Sequence, residues 1–357
     1  MAKSVLFLVP YPLKVAPSQR FRVELYEPVL QEHNVRYEIA SFMDDATWNI
    51  IFKPGNTFKK IAGIAKGYLR RIGHLFKATQ YDYVFIHREV APLGPPIFEW
   101  IIAKVLHKKI IYDFDDAIWI SNISTANKFA SWLKAFWKVK YICKWAHVVT
   151  GGNEYLNNYA RQHNARQTII LPTCVDVERK HNKVKIHGNH KPVIGWTGSH
   201  STLFYLDEIV PLLKKLQEEN NFTFLVIADK KPEIDLRDWQ FIKWNEATEG
   251  SDLLKMDIGI MPLKSDAWSE GKCGFKLIQY LSCGIPAIAD PIGVNKVIID
   301  NEKNGFICST KEEWKEKLQL LITDPALRKE LGEKGREKIK KEYSIQSQAQ
   351  KFLALFQ

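Results

Sequence analysis

The chain has 357 residues and no apolar run that nears the roughly 18 residues of a membrane-spanning helix. Its first apolar run, Val5 to Val9, is shorter than the core of a secretory leader and ends at Pro10. Both shortfalls predict a cytoplasmic chain. Cysteine is sparse: Cys143, Cys174, Cys273, Cys283 and Cys308 are odd in number, scattered, and nowhere spaced C-x-x-C. They read as reduced thiols, which sets aside a disulfide frame and a zinc site. No G-x-G-x-x-G follows the first β-rich run, against a plain nicotinamide dehydrogenase. No helix-turn-helix, zinc-finger or RNA-recognition signature is present, so nucleic acid is not an expected partner. What is there is 46% apolar and 25% charged residues, the balance of a globular protein. At roughly 100–200 residues per domain the length suits two or three domains.

Acidic residues are unevenly missing. The net charge is +11; residues 1–180 hold 25 Lys and Arg against 15 Asp and Glu, and residues 181–357 hold 26 against 25. No acid lies between Asp45 and Asp82, where Lys53, Lys59, Lys60, Lys66, Arg70, Arg71 and Lys77 fall. None lies between Asp116 and Glu154, where Lys128, Lys134, Lys138, Lys140 and Lys144 fall. In the first stretch Phe58, Ile61, Ala65, Tyr68, Leu69, Ile72 and Phe76 recur at helical steps; in the second Phe129, Trp132, Phe136, Trp137 and Tyr141 do. Two readings stand. The stripes face a core and the lysines are solvated, or the helices lie on an anionic membrane surface, each lysine adding about 1 kcal/mol. The second reading would place the chain peripherally on the inner face of the cell membrane.

Short apolar β-rich runs alternate with helical patterns along the whole chain. In the first half the expected strands are 5–9, 83–86, 110–112, 148–150 and 169–171. In the second they are 193–196, 222–227, 241–243, 258–261, 286–289 and 305–307. Continuous rather than alternating apolar runs suit parallel strands buried on both faces. The pattern predicts an α/β chain of two doubly wound domains, residues 1–185 and 186–343, with a C-terminal helix over 344–357 packing back on the first. Thr310 with Glu313 reads as a capping box, and Asp324 before Pro325 as a helix start.

In such sheets ligands gather beyond the carboxyl ends of the strands. After Val9, Ser18, Arg20 and Arg22 stand where a helix begins, a candidate anion site; the alternative is an arginine pairing with Glu24. After Ile86 come His87, Arg88 and Glu89, and after Tyr112 come Asp113, Asp115 and Asp116. The three aspartates resemble an Asp-x-Asp metal motif, but sugar-hydroxyl binding, base catalysis or helix capping fit them too, and no metal is expected. In the second half Gly198, Ser199 and Thr202 follow a strand and open a helix, a backbone cradle for phosphate or an ordinary cap. The most informative stretch is 257–295. Its loop holds Asp266, Trp268 and Glu270, then Gly271-Lys272-Cys273-Gly274-Phe275-Lys276 opens a helix. Lys272 and Lys276, four apart near a positive helix end, suit a diphosphate whose charge grows as its bond to sugar breaks.

Several separate segments, in order, resemble the GT-B retaining glycosyltransferases of the family-4 type. They are the first strand and its loop, ILPTCVDVERK, SCGIPAIADPIGVN and Glu302–Phe306. Tyr112–Trp119, Trp244–Glu249, Asp257–Leu263 and Gly271–Asn295 resemble a bacterial subgroup with YDxDDxxW, WxEExE, DIGxMPL and GKCxFKLLQY segments. The resemblance implies two Rossmann-like domains facing a central cleft, with the nucleotide-sugar donor held by the second. Residues 241–244 would lie at the base, Lys272 and Lys276 at the diphosphate, and Trp244, Glu246 and Glu249 on the nucleotide side. It implies no required cofactor beyond a UDP-, GDP- or dTDP-sugar, and a glycan or lipid-linked acceptor held by the first domain. The sequence departs from the family where paired glutamates usually stand: Gly271 and Gln279 occupy those positions, with Glu270 one place off. Ser199 and Thr202 replace a usual basic residue, and the usual histidine falls near Asp113–Asp116. Lys272, Lys276, Asp115 and Asp116 are then the expected catalytic residues, in bacterial surface polysaccharide or glycoconjugate synthesis. A nucleotide-sugar epimerase and a non-catalytic sugar-nucleotide-binding subunit are the alternatives.

Overall fold

The computed structural model describes residues 3–120, 133–188 and 191–357. They form two compact units, Met1–Thr173 with Gln348–Gln357, and Cys174–Ser347. The division thus falls at 173/174 and not at 185/186. The segment after Thr173 is tied into the second unit by backbone bonds from Val175 N to Tyr343 O and from Ile345 N to Val175 O.

In the first unit six parallel strands lie in the order β2-β1-β3-β4-β5-β6. These are β1 (Ser4–Val9), β2 (Arg36–Ser41), β3 (Tyr83–His87), β4 (Lys109–Phe114), β5 (Val148–Gly151) and β6 (Thr168–Ile170). β1 and β3 are buried throughout, as their unbroken apolar runs predict. The step from β1 to β2 runs opposite to every later step across the sheet. Right-handed crossovers therefore put helix Pro17–Arg22 on one face. Helices Thr57–Ala78, Ile97–Trp100 and Lys138–Trp145 lie on the other. From helix Thr57–Ala78 the buried Arg71 donates to the carbonyls of Val9, Ala40 and Val90, closing backbone groups at three strand ends. Burial lowers its pKa to about 9. The last residues complete this unit's core. Phe352 stacks on Tyr26 with centroids 3.9 Å apart, and Phe356 meets Phe7 and Tyr83 edge-on.

In the second unit six parallel strands follow the order β12-β11-β10-β7-β8-β9. They are β7 (Val193–Gly198), β8 (Thr223–Ala228), β9 (Trp239–Lys243), β10 (Ile258–Met261), β11 (Ala287–Ala289) and β12 (Gly305–Ile307). Trp196, Phe224, Ile258 and Leu213 belong to one core cluster. Thr310 and Glu313 form the capping box, and Asp324 caps the helix begun by Pro325.

The two basic stripes do not simply face inward. On helix Thr57–Ala78 Ile64 and Tyr68 pack inward, while Phe58, Ile61, Leu69, Ile72 and Phe76 are exposed. On the second, Trp137 and Tyr141 are exposed and Val139 and Ile142 buried. Lys128, Phe129 and Trp132 lie outside the described residues. Among the described residues no helix is long and apolar enough to cross a membrane.

Candidate functional site

At the carboxyl edge of the first sheet, β3 and β4 lie side by side with His87 opposite Asp113. That register joins residues 26 apart into one hydrogen-bonded chain. His87 Nδ1 lies 2.8 Å from Asp113 Oδ2 and His87 Nε2 2.8 Å from Ser18 Oγ. Ser18 Oγ also lies 2.8 Å from Asp115 Oδ1. With Asp113 facing Nδ1, Ser18 has one proton for two neighbours, Nε2 and Asp115. Thr150, at the end of β5, donates to Asp113 Oδ1 at 2.7 Å.

The anion site expected at Arg20 and Arg22 is corrected at Arg22. Helix Pro17–Arg22 has only six residues, so both arginines sit in its last turn, and both are buried. Arg22 is committed inward: Nε donates to Asp113 at 2.9 and 3.1 Å, NH2 also bonds Asp113, and NH1 donates to Leu171 O at 2.7 Å. Arg88 makes a second bridge, from Nε to Asp115 at 2.9 Å and from NH2 to Asp115 and Asp116 at 2.7 Å each. It holds a left-handed backbone, φ 61°, costly for a side chain of this size. Glu89 turns away to the buried Lys138, 2.7 Å distant.

Burial opposes the charge on Asp113, but Arg22 and His87 outweigh it and hold the carboxyl below its usual range. At Asp115 burial is likewise overcome by Arg88, His87 and Arg22. The aspartate trio is thus a network closed by arginines. Among the described residues no group of three or more His, Cys, Asp or Glu is arranged for a metal ion.

In the second unit the loop after β10 leads to helix Phe275–Ser282. Gly274 precedes it with φ +64°, and a Cβ there would come 2.2 Å from Ile298 Cδ1, so only glycine fits. The half-buried Lys272 and Lys276 flank this start. Lys272 Nζ lies 4.8 Å from the Trp268 ring centre and Lys276 Nζ 5.3 Å from that of Trp196. Each ammonium is thereby held on an aromatic face. The sequence named Trp268 only as a loop residue and Trp196 only as a strand end; neither showed as a partner, because β7 and this loop are far apart along the chain. Glu270 accepts from Gly293 N at 3.1 Å, bracing the loop after β11. Gly271 is buried and Phe275 half-buried. Gln279 is 3% exposed, and among the described residues its Nε2 has no hydrogen-bond partner. Trp244 Nε1 donates to Glu249 at 3.0 Å, and Glu246 pairs with Lys180 at 3.4 Å.

The turn after β7 differs from the expected cradle. Gly198 leads into a 3-10 helix, His200–Glu208, without a side-chain cap. Thr202 Oγ1 donates back to Ser199 O, and Ser199 meets Ser201. Asp229 accepts from His200 N at 2.6 Å, so a carboxylate occupies the amide a phosphate would use. A cavity of about 440 Å³ is lined by Lys296, Ile299, Asp300, Asn301, Lys303 and Ile307, none of them a sequence-predicted site residue.

Residues 178–338 match the family model of glycosyl transferases group 1. No curated protein sequence matches the chain. Its structure resembles sucrose-phosphate synthase from Thermosynechococcus elongatus, TM-score 0.73 at 12% identity, over 100% of this chain and 98% of that one. It also resembles the starch synthase IV catalytic domain of Arabidopsis thaliana bound to ADP and acarbose, 0.69 at 13%, over 100% and 99%. A third likeness is to HepE from Anabaena in complex with UDP-glucose, 0.66 at 12%, over 98% and 99%. The fold is that of GT-B glycosyltransferases, and the match to the group 1 model falls within the second unit.

Proposed function

We propose that the chain is a retaining glycosyltransferase of the family-4 type. It moves a sugar from a nucleotide-sugar donor to a glycan or lipid-linked acceptor in bacterial surface polysaccharide or glycoconjugate synthesis. One observation carries the reading: Lys272 and Lys276, held over Trp268 and Trp196 beside the start of helix Phe275–Ser282. Two cations next to a positive helix end stabilise a departing diphosphate, whose charge rises in the transition state. The group 1 match over 178–338 supports a donor held by this unit. So do the ADP and UDP-glucose in the names of two similar structures, both nucleoside diphosphate compounds.

Within this unit the unpartnered Gln279 amide is satisfied by a donor hydroxyl, since a buried donor left alone is costly. Trp244, with Glu246 and Glu249, lies on the nucleotide side; Gly198, Ser199, Thr202, Glu270, Gly271, Gly274 and Phe275 shape the donor loops. In the first unit the chain Asp113–His87–Ser18–Asp115 orients an acceptor hydroxyl at Ser18, which like Asp115 is half-buried. The hydroxyl attacks from the leaving-group side and its proton passes to the departing phosphate, so configuration is kept.

Thermal-shift measurements against UDP-, GDP-, dTDP- and ADP-sugars test donor binding, because a bound donor raises the melting point by mass action. NMR of the product with an acceptor then reads the anomeric centre. Inverted product rejects the retaining mechanism. Donor converted without any acceptor points instead to an epimerase, and tight binding with no turnover to a silent subunit.

A further inference from the structure

Helix Thr57–Ala78 has two apolar faces, and folding accounts for one. Its 22 residues span about 33 Å at 1.5 Å per residue. The inner face closes tightly on the first unit: a Cβ on Gly67 would come 2.6 Å from the Phe42 ring, and Tyr68 packs in the Phe42 cluster. The outer face carries Phe58, Ile61, Leu69, Ile72 and Phe76, of which Phe58 is 90%, Leu69 69% and Phe76 72% exposed. At 3.6 residues per turn these positions, with Ala65 between them, fall within about 80° of one another. A monomeric protein in water has no reason to hold so long a stripe open.

One border of the stripe is basic: residues 57–78 hold no acid, and Lys59, Lys66, Arg70 and Lys77 fall along one side of it, while Arg71 is buried and turned inward. Two carboxylates reach this helix from elsewhere: Asp44 meets Lys66 and Arg70, and Glu38 meets Lys77. The cations outnumber them. On the same face of the sheet, the adjacent helical segments add exposed Trp100 and Trp137, aromatics suited to a water–hydrocarbon boundary.

We propose that the outer face of helix Thr57–Ala78 docks on an anionic phospholipid surface. Its stripe lies in the headgroup–acyl boundary and its lysines lie against the headgroups. Charge decides the occupant. Two copies joined along this stripe would set lysine-flanked edges against each other with no acid on the helix to pair them. An anionic bilayer meets both the apolar stripe and its basic border. The proposal does not rest on the transfer reading.

Flotation of the full chain tests it, with vesicles of phosphatidylcholine alone and with about one third phosphatidylglycerol. The chain is expected to float with the anionic vesicles and far less with the neutral ones, releasing as salt rises. The variant Leu69→Gln, Ile72→Gln, Phe76→Gln changes only exposed positions, so its melting point should hold while its partition coefficient falls at least about tenfold. Lys59→Glu with Lys66→Glu should lower binding to anionic vesicles alone. Equal binding to both vesicle types overturns the proposal, as does a triple variant that floats like the wild type. Failure of the wild type to float, with a dimer in size-exclusion chromatography that the triple variant dissolves, also overturns it and reassigns the face to self-association.

Discussion

The carboxyl ends of the two sheets spend their charges differently. In the first unit Arg22 and Arg88 are turned on Asp113, Asp115 and Asp116, in a network whose side chains are at most 19% exposed. In the second, Lys272 and Lys276 rest on indole rings beside a helix start. Opposed ions out of water fix one another, so the first set shapes its sheet edge. Both edges look equally polar in the sequence, yet one is tied across strands by buried ion pairs and the other sets its lysines against indole rings.

The largest effect that would break this contrast is on stability. Arg22→Ala leaves Asp113 buried beside a lost partner and should cost about 3–5 kcal/mol in urea denaturation. A loss under about 1 kcal/mol would mean the network is not structural. Next comes Lys272→Ala, which should leave the melting point nearly unchanged and lower turnover about 100-fold, roughly 2.7 kcal/mol. Wild-type turnover in steady-state assays would remove that lysine from the reaction.

The smallest effect is a pH dependence in the first unit. Burial and the neighbouring Arg71 lower the pKa of His74 from 6.5 to about 4. The folded form therefore refuses a proton that the unfolded chain accepts. The stability contribution is complete above pH 6.5 and is lost as pH falls toward 4. The lowered carboxyls of Asp113 and Asp115 add a further loss below the ordinary aspartate range, since the unfolded chain protonates first. His74→Gln should flatten the first decline in urea midpoints between pH 7 and 4; an unchanged slope counts against His74 as its source.

Most strands were legible because burial on both faces writes an unbroken apolar run. β2 was not: RYEIAS mixes charge with apolar residues, and on this edge strand only Ala40 is buried. The residues at the strand ends were legible one loop at a time. Their meeting was not, because it depends on which strands lie side by side, and nothing local to His87 or Asp113 encodes that pairing. For the same reason Arg22 looked like a candidate for an outside anion when its partner stood 91 residues away. The roles of Thr150 and Arg71 went unread because a hydroxyl at a strand end and an arginine inside a basic helix carry no local signal.

Phe352 and Phe356 bear on the order of events at the ribosome. The first 173 residues emerge lacking the aromatic plug that fills in behind Phe7 and Tyr26. Another 174 residues, Cys174–Ser347, must be made before the plug appears. At about 5–20 residues per second that is a wait of roughly 9–35 s. The unit translated first is therefore finished last, and until then the ring faces of Phe7 and Tyr26 that Phe352 covers stay open.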